Sequence, residues 1–405
     1  MEFLTLSLII SLILRFSTAE GLQKRDLSNP SVSEILFEGV GFTGYYSQIK
    51  KLVEDGSCDC EIGGSYYFSG PNSPLDEEVA VHFRGPLSLY KFAYYTSEYF
   101  DVSDNSTSKS WTRRAYYDSE SATTENVTFL TKAGDNSTCL GQALTYASSD
   151  GVSKASSATP LGSGNLITSD EEYVIFSNIS CSKSGYDKDC GVYRKGIPAY
   201  HGYYGTTKMF LFEFKAPTET QENSTSFSYY DMPAIWLLNS HIARTSQYPT
   251  NSNCSCWASG CGEFDIFEVM NGTQKNNFYS TFHTFQGTGV LGTGLQAFGH
   301  VDRDTEDTML GGVIFDSVGN TLVFMNNETT FGSSIEVSDI SALLNLEEEE
   351  EEDDVVVSSL SSISISYSTT STAKSKNNGH SLFYREDVLS YYISIIILSL
   401  LNMLL

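Results

Sequence analysis

The sequence predicts an all-β protein built as one large sandwich. Aromatic and small residues are abundant, with 25 Tyr, 24 Phe and 32 Gly among 405 residues. Between about residues 31 and 346, short runs alternate apolar and polar side chains, as in strands with one buried face. Long periods of 3.6 residues, which indicate amphipathic helices, are rare. The length of this region suits a single sandwich.

Five runs are the clearest strands, because each is rich in aromatic or β-branched residues. They are Glu78–Phe83, Leu87–Tyr95, Tyr173–Phe176, Met209–Phe214 and Thr321–Met325. Two segments favour helices instead, Tyr46–Glu54 and Ser338–Leu346. We therefore expect residues 31–100, a Gly-, Tyr- and Cys-rich region, and residues 101–346 to form the folded part.

The two ends of the chain carry targeting signals. Residues 1–19 have a short apolar core followed by Ser17-Thr18-Ala19, the pattern of a secretory signal peptide. At the other end, small residues, a polar spacer and an apolar tail follow in order, which is typical of a glycosylphosphatidylinositol (GPI) attachment signal over residues 377–405. The attachment candidates are Asn377, Asn378 and Gly379. The alternative for the tail is a C-terminal membrane helix, but no basic residue follows it.

Residues 347–376 separate the folded part from this tail. They begin with the acidic run Glu347–Asp354 and continue as a Ser/Thr-rich segment. Such a composition predicts a solvated, O-glycosylated stalk. The net charge of −26 excludes nucleic acid as a partner.

Cysteines and glycosylation motifs agree with secretion. The even count of 8 Cys in an oxidising compartment indicates disulfides, and the missing pair of matching His residues makes zinc a poor alternative. The Asn-x-Ser/Thr acceptors are Asn105, Asn126, Asn136, Asn178, Asn223, Asn253, Asn271 and Asn327. We expect a cell-surface glycoprotein.

The segment Glu263–Glu268 concentrates three acidic residues in a strand-like run. Alternation places Glu263 and Asp265 on one face, whereas Glu268 reaches that face only if a β-bulge consumes one residue. Paired carboxylates with separated pKa values perform retaining glycoside hydrolysis, in which one attacks the sugar and the other, about 5–5.5 Å away, donates a proton. The alternative is an edge strand whose charges block aggregation.

Three segments resemble glycoside hydrolase family 16. Glu-x-Asp-x-x-Glu behind Gly262 resembles its bulged, laminarinase-like catalytic strand. Met232–Leu238 resembles its Trp-Pro-Ala-x-Trp-Leu-Leu strand, with Met232 in place of the first Trp, and Phe212–Pro217 resembles the strand before it. The Cys254-Ser255-Cys256-Trp257 flank is similar to a narrower group, the fungal cell-wall proteins described as probable circularly permuted β-1,3-glucanases.

The resemblance implies a jelly-roll, concanavalin-like sandwich, circularly permuted, that hydrolyses cell-wall β-1,3-glucan internally and with retention. It implies Glu263 as the nucleophile, Glu268 as the acid/base and Asp265 as the assisting residue. No cofactor is required, and no metal-ligand set is visible. In a permuted chain, strands of residues 31–100 belong to the sandwich; the alternative is a separate carbohydrate-binding module.

Aromatic residues are the expected sugar platforms, because glucans stack on flat rings. We expect Trp236 and Trp257 to line the cleft, with a disulfide holding Trp257 there; Trp236 could instead be a core residue. Trp111, in a polar context, has no such role. His283 follows the catalytic strand and is expected either to face the cleft or to lie in the core.

Two other functions remain compatible with the same residues. One is transglycosylation, in which a sugar hydroxyl replaces water in the second step. The other is an inactive structural wall protein that binds glucan, for which the replacement at Met232 leaves room.

Overall fold

Two large β-sheets stack face to face in the computed structural model. It describes residues 29–53, 59–138, 140–244, 248–283, 295–326, 328–344 and 355–359. The predicted signal peptide, the GPI signal and most of the predicted stalk lie outside these ranges. Among the helices of the described residues, none has the length and apolar character that spanning a membrane requires.

Strands make up most of the described chain, and the three α-helices in it are short. The strands are β1 (Glu34–Glu38), β2 (Gly44–Val53), β3 (Asp59–Phe68), β4 (Val79–Arg84), β5 (Ser88–Thr96), β6 (Trp111–Asp118), β7 (Thr123–Glu125), β8 (Thr128–Thr131), β9 (Asn136–Ser137), β10 (Gly141–Gln142), β11 (Thr145–Tyr146), β12 (Glu172–Phe176), β13 (Lys208–Lys215), β14 (Ala234–Asn239), β15 (Glu263–Glu268), β16 (Asn277–Phe282), β17 (Leu295–Gln296), β18 (Val301–Asp302), β19 (Met309–Phe315), β20 (Thr321–Met325), β21 (Ser334–Ile335) and β22 (Val355–Ser359). The helices are α1 (Ser240–Ala243), α2 (Cys256–Ser259) and α3 (Val337–Leu343), with 3₁₀ turns at Asn105–Thr107 and Ser252–Cys254.

The first sheet has the order β21-β6-β5-β13-β19-β20-β1-β22, with β7 beside β6. The second has the order β11-β8-β12-β4-β14-β15-β16-β17, with β18 beside β16. Most pairs are antiparallel; β1 and β22 run parallel. The fold is thus the all-β sandwich of jelly-roll type that the sequence predicts.

The core between the sheets is aromatic. Phe83 stacks on Tyr173 with ring centroids 4.8 Å apart, and Phe264 stacks on Phe282 at 4.0 Å. Each ring is at most 2% exposed. Burial of a Phe side chain contributes about 1.5–3 kcal/mol, so this layer accounts for much of the cohesion between the sheets.

The five predicted strands are confirmed as β4, β5, β12, β13 and β20, with bounds within one residue at either end. β4 and β5 each occupy an interior position, one in each sheet, so they do not form a separate module. The helix predicted at Ser338–Leu346 is confirmed as α3. β22 lies beyond the boundary predicted at residue 346 and pairs with β1.

The helix predicted at Tyr46–Glu54 is wrong. Residues 46–53 lie in β2, which forms a two-stranded hairpin with β3. Cross-strand ring contacts favour the extended form, since Tyr46 stacks on Tyr66 with centroids 5.1 Å apart. The hairpin's inner face packs against the second sheet in a cluster that includes Trp236 and Leu238. Tertiary pairing therefore overrides the helical spacing.

Three disulfides lie among the described residues, and no described cysteine is free. Cys60–Cys254 ties the hairpin to the segment before α2, and Cys256–Cys261 ties α2 to the start of β15. Cys181–Cys190 closes a distant loop. Cys58 and Cys139 lie outside the described residues. The two disulfides around α2 confirm the expectation that Trp257 is held in place.

Candidate active site

A β-bulge in β15 brings the three carboxylates to one face of the second sheet. Against β14, Trp236 pairs with Asp265 and Ile235 pairs with Phe267, so Ile266 is the extra residue. Ile266 and Phe267 both point into the core. Glu268 therefore returns to the outer face with Glu263 and Asp265, and the predicted bulge is confirmed.

Register across three strands organises this outer face into rows. Each row takes one residue from β4, one from β14 and one from β15. The rows are Arg84, Ala234 and Glu268; then His82, Trp236 and Asp265; then Ala80, Leu238 and Glu263. The β4 residues come from the N-terminal part of the chain, so that part supplies one third of this surface.

The start of β15 depends on a glycine. Gly262 has φ 128°, a conformation that favours glycine, and a Cβ there would lie 3.1 Å from Pro74 and 3.2 Å from Leu75. Just before it, Ser255 caps α2 by accepting from the Ala258 N–H at 3.1 Å, and Gly260 ends the helix in the left-handed region. These local features fix how Trp257 and Glu263 are presented.

Six residues of these rows line a cleft of about 480 Å³, namely Arg84, Trp236, Leu238 and the three carboxylates. Its lining includes the three carboxylates, His283, Arg84, Trp236, Trp257, Tyr229 and Tyr248. A cavity with aromatic walls and a few convergent charged groups is the usual form of a ligand site.

His283 stabilises Asp265 directly. Its Nε2 lies 2.6 Å from Asp265 Oδ2, and both side chains are nearly buried. Burial opposes the imidazolium, but the hydrogen bond to Asp265 and the nearby glutamates raise the pKa of His283 to about 9. At neutral pH His283 is therefore an imidazolium held against Asp265.

The two glutamates retain protons more strongly than exposed carboxyls do. Burial, followed by the Asp265 charge, raises the pKa of Glu263 to about 8. The same two causes raise the pKa of Glu268 to about 8, opposed by Arg84. Close acidic groups cannot all ionise together, which is the condition for one glutamate to stay protonated while another is a carboxylate.

Arg84 is a cleft residue that the sequence analysis missed. Its Nη2 lies 2.9 Å from Glu268 Oε1, and its Nε donates to the Met232 carbonyl at 2.8 Å. It is the single Arg or Lys in β4, an otherwise apolar strand apart from His82. A buried charge must be paired, so this residue type at this position was the available signal.

Tyr229 and Tyr248 also escaped prediction, because they lie in irregular segments. The Tyr229 ring covers the Arg84 guanidinium with 4.2 Å between the centroid and Cζ. The Tyr248 hydroxyl donates to Glu172 at 3.1 Å. Both rings line the cleft and stay partly exposed, at 44% and 52%.

The predicted aromatic residues differ in exposure. Trp236 lines the cleft but is only 5% exposed, and it stacks on His82 with centroids 5.1 Å apart. Trp257 also lines the cleft and is 40% exposed. Trp111 is fully buried beneath the first sheet, against Phe100. Trp257 is thus the freest of the three to meet a sugar.

The cleft also contains atoms suited to a cation. One ligand atom each from Asp265, Glu268 and His283 lies within 4.8 Å of the others. His283 and Asp265 in this group also share the short hydrogen bond described above.

The described glycosylation motifs lie away from the cleft floor. Their exposed asparagines are Asn136, Asn178, Asn223, Asn253 and Asn271. Asn126 is half-buried, donates its amide to the Arg114 carbonyl at 3.1 Å and accepts from the Asn178 N–H at 3.0 Å. Asn105 lies in a 3₁₀ turn, and Asn327 and the GPI candidates lie outside the described residues.

The fold and the cleft together define a class: β-sandwich proteins that carry an acidic, aromatic-lined cleft on the outer face of one sheet. Two family models identify the group within it. The model for the N-terminal part of the cell wall protein YJL171C/Tos1 matches residues 33–97, and the model for its C-terminal part matches residues 109–343. The chain belongs to this cell wall protein family.

Relatives span most of the chain. It is 55% identical over 366 residues to the "Probable circularly permuted 1,3-beta-glucanase YJL171C" of Saccharomyces cerevisiae, covering 90% of the chain and 91% of that protein. It is 55% identical over 339 residues to the PGA52 protein of Candida albicans, which has the same descriptive name, covering 83% of the chain and 86% of that protein. No solved structure matches significantly.

Proposed function

We propose that this protein is an endo-acting β-1,3-glucanase that cleaves cell-wall glucan with retention of configuration. One observation carries the proposal: the bulge at Ile266 aligns Glu263, Asp265 and Glu268 on the floor of an aromatic-lined cleft. The printed names of the relatives, which describe them as probable 1,3-β-glucanases, supply the substrate class.

Glu263 is the nucleophile in this proposal. Attack of its carboxylate on the anomeric carbon forms a glycosyl-enzyme and breaks the glycosidic bond. Asp265 lies between the two glutamates in sequence, and His283 holds it in place. Its charge disfavours ionisation of both neighbours and so helps to keep a proton in the group.

Glu268 is the acid/base. Protonated, it gives its proton to the leaving oxygen; afterwards it takes a proton from the water that hydrolyses the intermediate. Burial and the Asp265 charge favour its protonated form near neutral pH. Tyr229, Tyr248 and Trp257 line the cleft together with the carboxylates and supply stacking surfaces for sugar rings.

Product analysis tests the proposal. The secreted wild-type protein and the Glu263→Gln variant are incubated with defined β-1,3-, β-1,4-, β-1,6- and mixed-linkage glucans. We expect only the wild type to shorten β-1,3-linked chains internally, with fresh β-anomer visible by proton NMR before mutarotation. Initial release of α-anomer would refute retention. Binding without turnover would favour a structural, glucan-binding wall protein.

Transglycosylation is a second candidate, favoured by the aromatic rings of Tyr229, Tyr248 and Trp257 that line the cleft with the carboxylates. A sugar that stacks on the acceptor side excludes water and can intercept the same intermediate. Following reducing ends against product length on laminarin-type oligosaccharides separates the two, because transfer gives longer products without new reducing ends.

We also propose that the protein is secreted and held at the cell surface by a GPI anchor, or bound covalently in the wall. The terminal segments of the sequence and the name of the family support this location. Phosphatidylinositol-specific phospholipase should release the membrane fraction, and mass spectrometry of the mature protein should lack residues 388–405. Recovery of that segment in the mature protein would contradict the proposal.

A further inference from the structure

We propose that Arg84 is a positioning residue for Glu268: it holds one carboxylate oxygen and leaves the other directed at the leaving group. The inference rests on the proposed function and adds a residue from the N-terminal strand to the machinery. Nothing in the names of the family or its relatives assigns it.

The register of the sheet creates this contact. Arg84 on β4 and Glu268 on β15 both pair with Ala234 on the strand between them. Because Ala234 has only a Cβ, the arginine can cross over it to reach Glu268. A longer side chain at that position would fill the path between the two charges.

The guanidinium is fixed on three sides. It donates to the Met232 carbonyl at 2.8 Å and to Glu268 Oε1 at 2.9 Å, and the Tyr229 ring covers its face at 4.2 Å. The Arg84 side chain is 6% exposed and that of Glu268 is 15% exposed. Charge-assisted hydrogen bonds to so constrained a donor restrict the carboxylate to a narrow range of orientations.

Arg84 also faces a second carboxylate. Glu172 on β12 is its register partner on the other side, and it is buried beside Lys132 at 3.4 Å and the Tyr248 hydroxyl. Lys132, Glu172, Arg84 and Glu268 thus alternate in sign across neighbouring strands. This alternation offsets the cost of burying Arg84. It also places Arg84 against Glu172, a buried residue outside the three catalytic carboxylates.

Several charged or titratable groups face Glu268 and must enter any account of its pH dependence. They are Arg84 from β4, Asp265 and Glu263 from its own strand, and His283 after β16, with Glu172 and Tyr248 one layer beyond Arg84. Arg84 opposes the acidic neighbours. Its removal should therefore favour the protonated form of Glu268 while freeing the carboxyl to rotate.

Two substrates separate positioning from stability. A β-1,3-glucan needs protonation of its leaving oxygen, whereas an aryl β-glycoside with a good leaving group does not. For Arg84→Met we expect kcat on glucan to fall about 10–100-fold, a share of the 10²–10⁴ that general acid catalysis contributes. The initial burst of aryl release should change less than about threefold, and the alkaline limb of kcat/KM on glucan should move to higher pH.

Matched variants complete the design. Arg84→Lys keeps the positive charge but loses the forked guanidinium. The alkaline limb of the kcat/KM profile should therefore stay in place while kcat on glucan falls partly. Arg244→Met removes another buried arginine, which pairs with Glu78 at 3.0 Å outside the cleft, and should leave both the substrate ratio and the pH limb unchanged. If Arg84→Met loses the same activity on both substrates and the alkaline limb of its pH profile does not move, Arg84 has only a structural role.

A titration without turnover keeps this inference separate from the proposed function. In protein labelled with ¹³C at glutamate carboxyls, the Glu268 resonance is assigned by its absence in Glu268→Gln. Arg84→Met should raise its titration midpoint by at least half a pH unit. If the wild type cleaves no glucan, the proposed function fails, but a higher Glu268 titration midpoint in Arg84→Met still supports the Arg84–Glu268 contact. An unchanged Glu268 midpoint overturns that contact.

Discussion

Replacing Glu263 with Gln should abolish glucan cleavage and, at the same time, stabilise the folded protein above pH 5. The amide cannot form a covalent sugar ester, so activity should fall by several orders of magnitude. The gain in stability has a separate origin. A carboxyl that is buried beside Asp265 must ionise against burial and charge repulsion, whereas Gln has no charge to bury.

The size of the gain follows from the pKa of Glu263. It lies at about 8 in the fold against a model value of 4.5. At about 1.4 kcal/mol per pH unit, that interval corresponds to at most about 5 kcal/mol. Because the other acidic groups share the repulsion, we expect about 1–3 kcal/mol in the measured free energy of unfolding.

The sign of the pH dependence is fixed by linkage. A carboxyl whose pKa is raised in the fold binds more protons when folded than when unfolded between about pH 4.5 and 8. Wild-type stability therefore falls across this window because of Glu263, and the Glu263→Gln variant lacks that loss. The two proteins should be equally stable near pH 4 and diverge steadily up to pH 8.

Urea unfolding of the disulfide-intact protein at pH 4, 6 and 8 measures the difference. Glu213→Gln is the matched control, because Glu213 pairs with Lys91 on the first sheet at 2.7 Å, far from the cleft. It should lower stability slightly or leave it unchanged. A Glu263→Gln protein no more stable than wild type at pH 8 would show that burial and the Asp265 charge do not raise the pKa of Glu263.

Three further variants probe the cleft. Glu268→Ala should still release a good aryl leaving group and then stall, and azide should restore turnover to a β-glycosyl azide; an α-azide product would contradict a retaining acid/base. Trp257→Ala should weaken glucan binding about tenfold, whereas Tyr204→Ala, at a residue that is more exposed (69% against 40%) but lies outside the cleft, should not; equal losses in a pull-down with insoluble glucan would remove Trp257 as a platform. His283→Asn should lower the free energy of unfolding by up to about 3 kcal/mol below pH 6.5, because the raised pKa of His283 stabilises the fold there. The difference from wild type should vanish as pH rises through about 9, and a pH-independent difference in unfolding midpoints would exclude the ion pair with Asp265.

Local patterns were enough to predict the five clearest strands and the bulge. Alternation in Val79–Phe83 and the spacing of Glu263, Asp265 and Glu268 both report which face a side chain takes, and that information is carried by neighbours in the chain. The same reasoning failed at Tyr46. Its helical spacing is overridden by ring contact with Tyr66, which lies on a strand 20 residues further along the chain.

Arg84 shows why the rest of the cleft could not be predicted. Its contact with Glu268 spans a sequence separation of 184 residues and depends on the register of two strand pairs. Tyr229 and Tyr248 reach the cleft from irregular segments, whose course no periodicity encodes. Trp111, surrounded by polar neighbours in sequence, is buried because β5 and β21 pair with its strand on either side.

The long separation between Arg84 and Glu268 also has a consequence for biosynthesis. At about 5–20 residues per second, the 184 residues between the two side chains take roughly 10–40 s to synthesise. For most of that time, one edge of β4 lacks its partner β14, and β1 must remain unpaired with β20 for still longer. The nascent chain therefore carries open strand edges until these partners are synthesised, and protecting those edges from wrong pairing favours correct formation of the cleft.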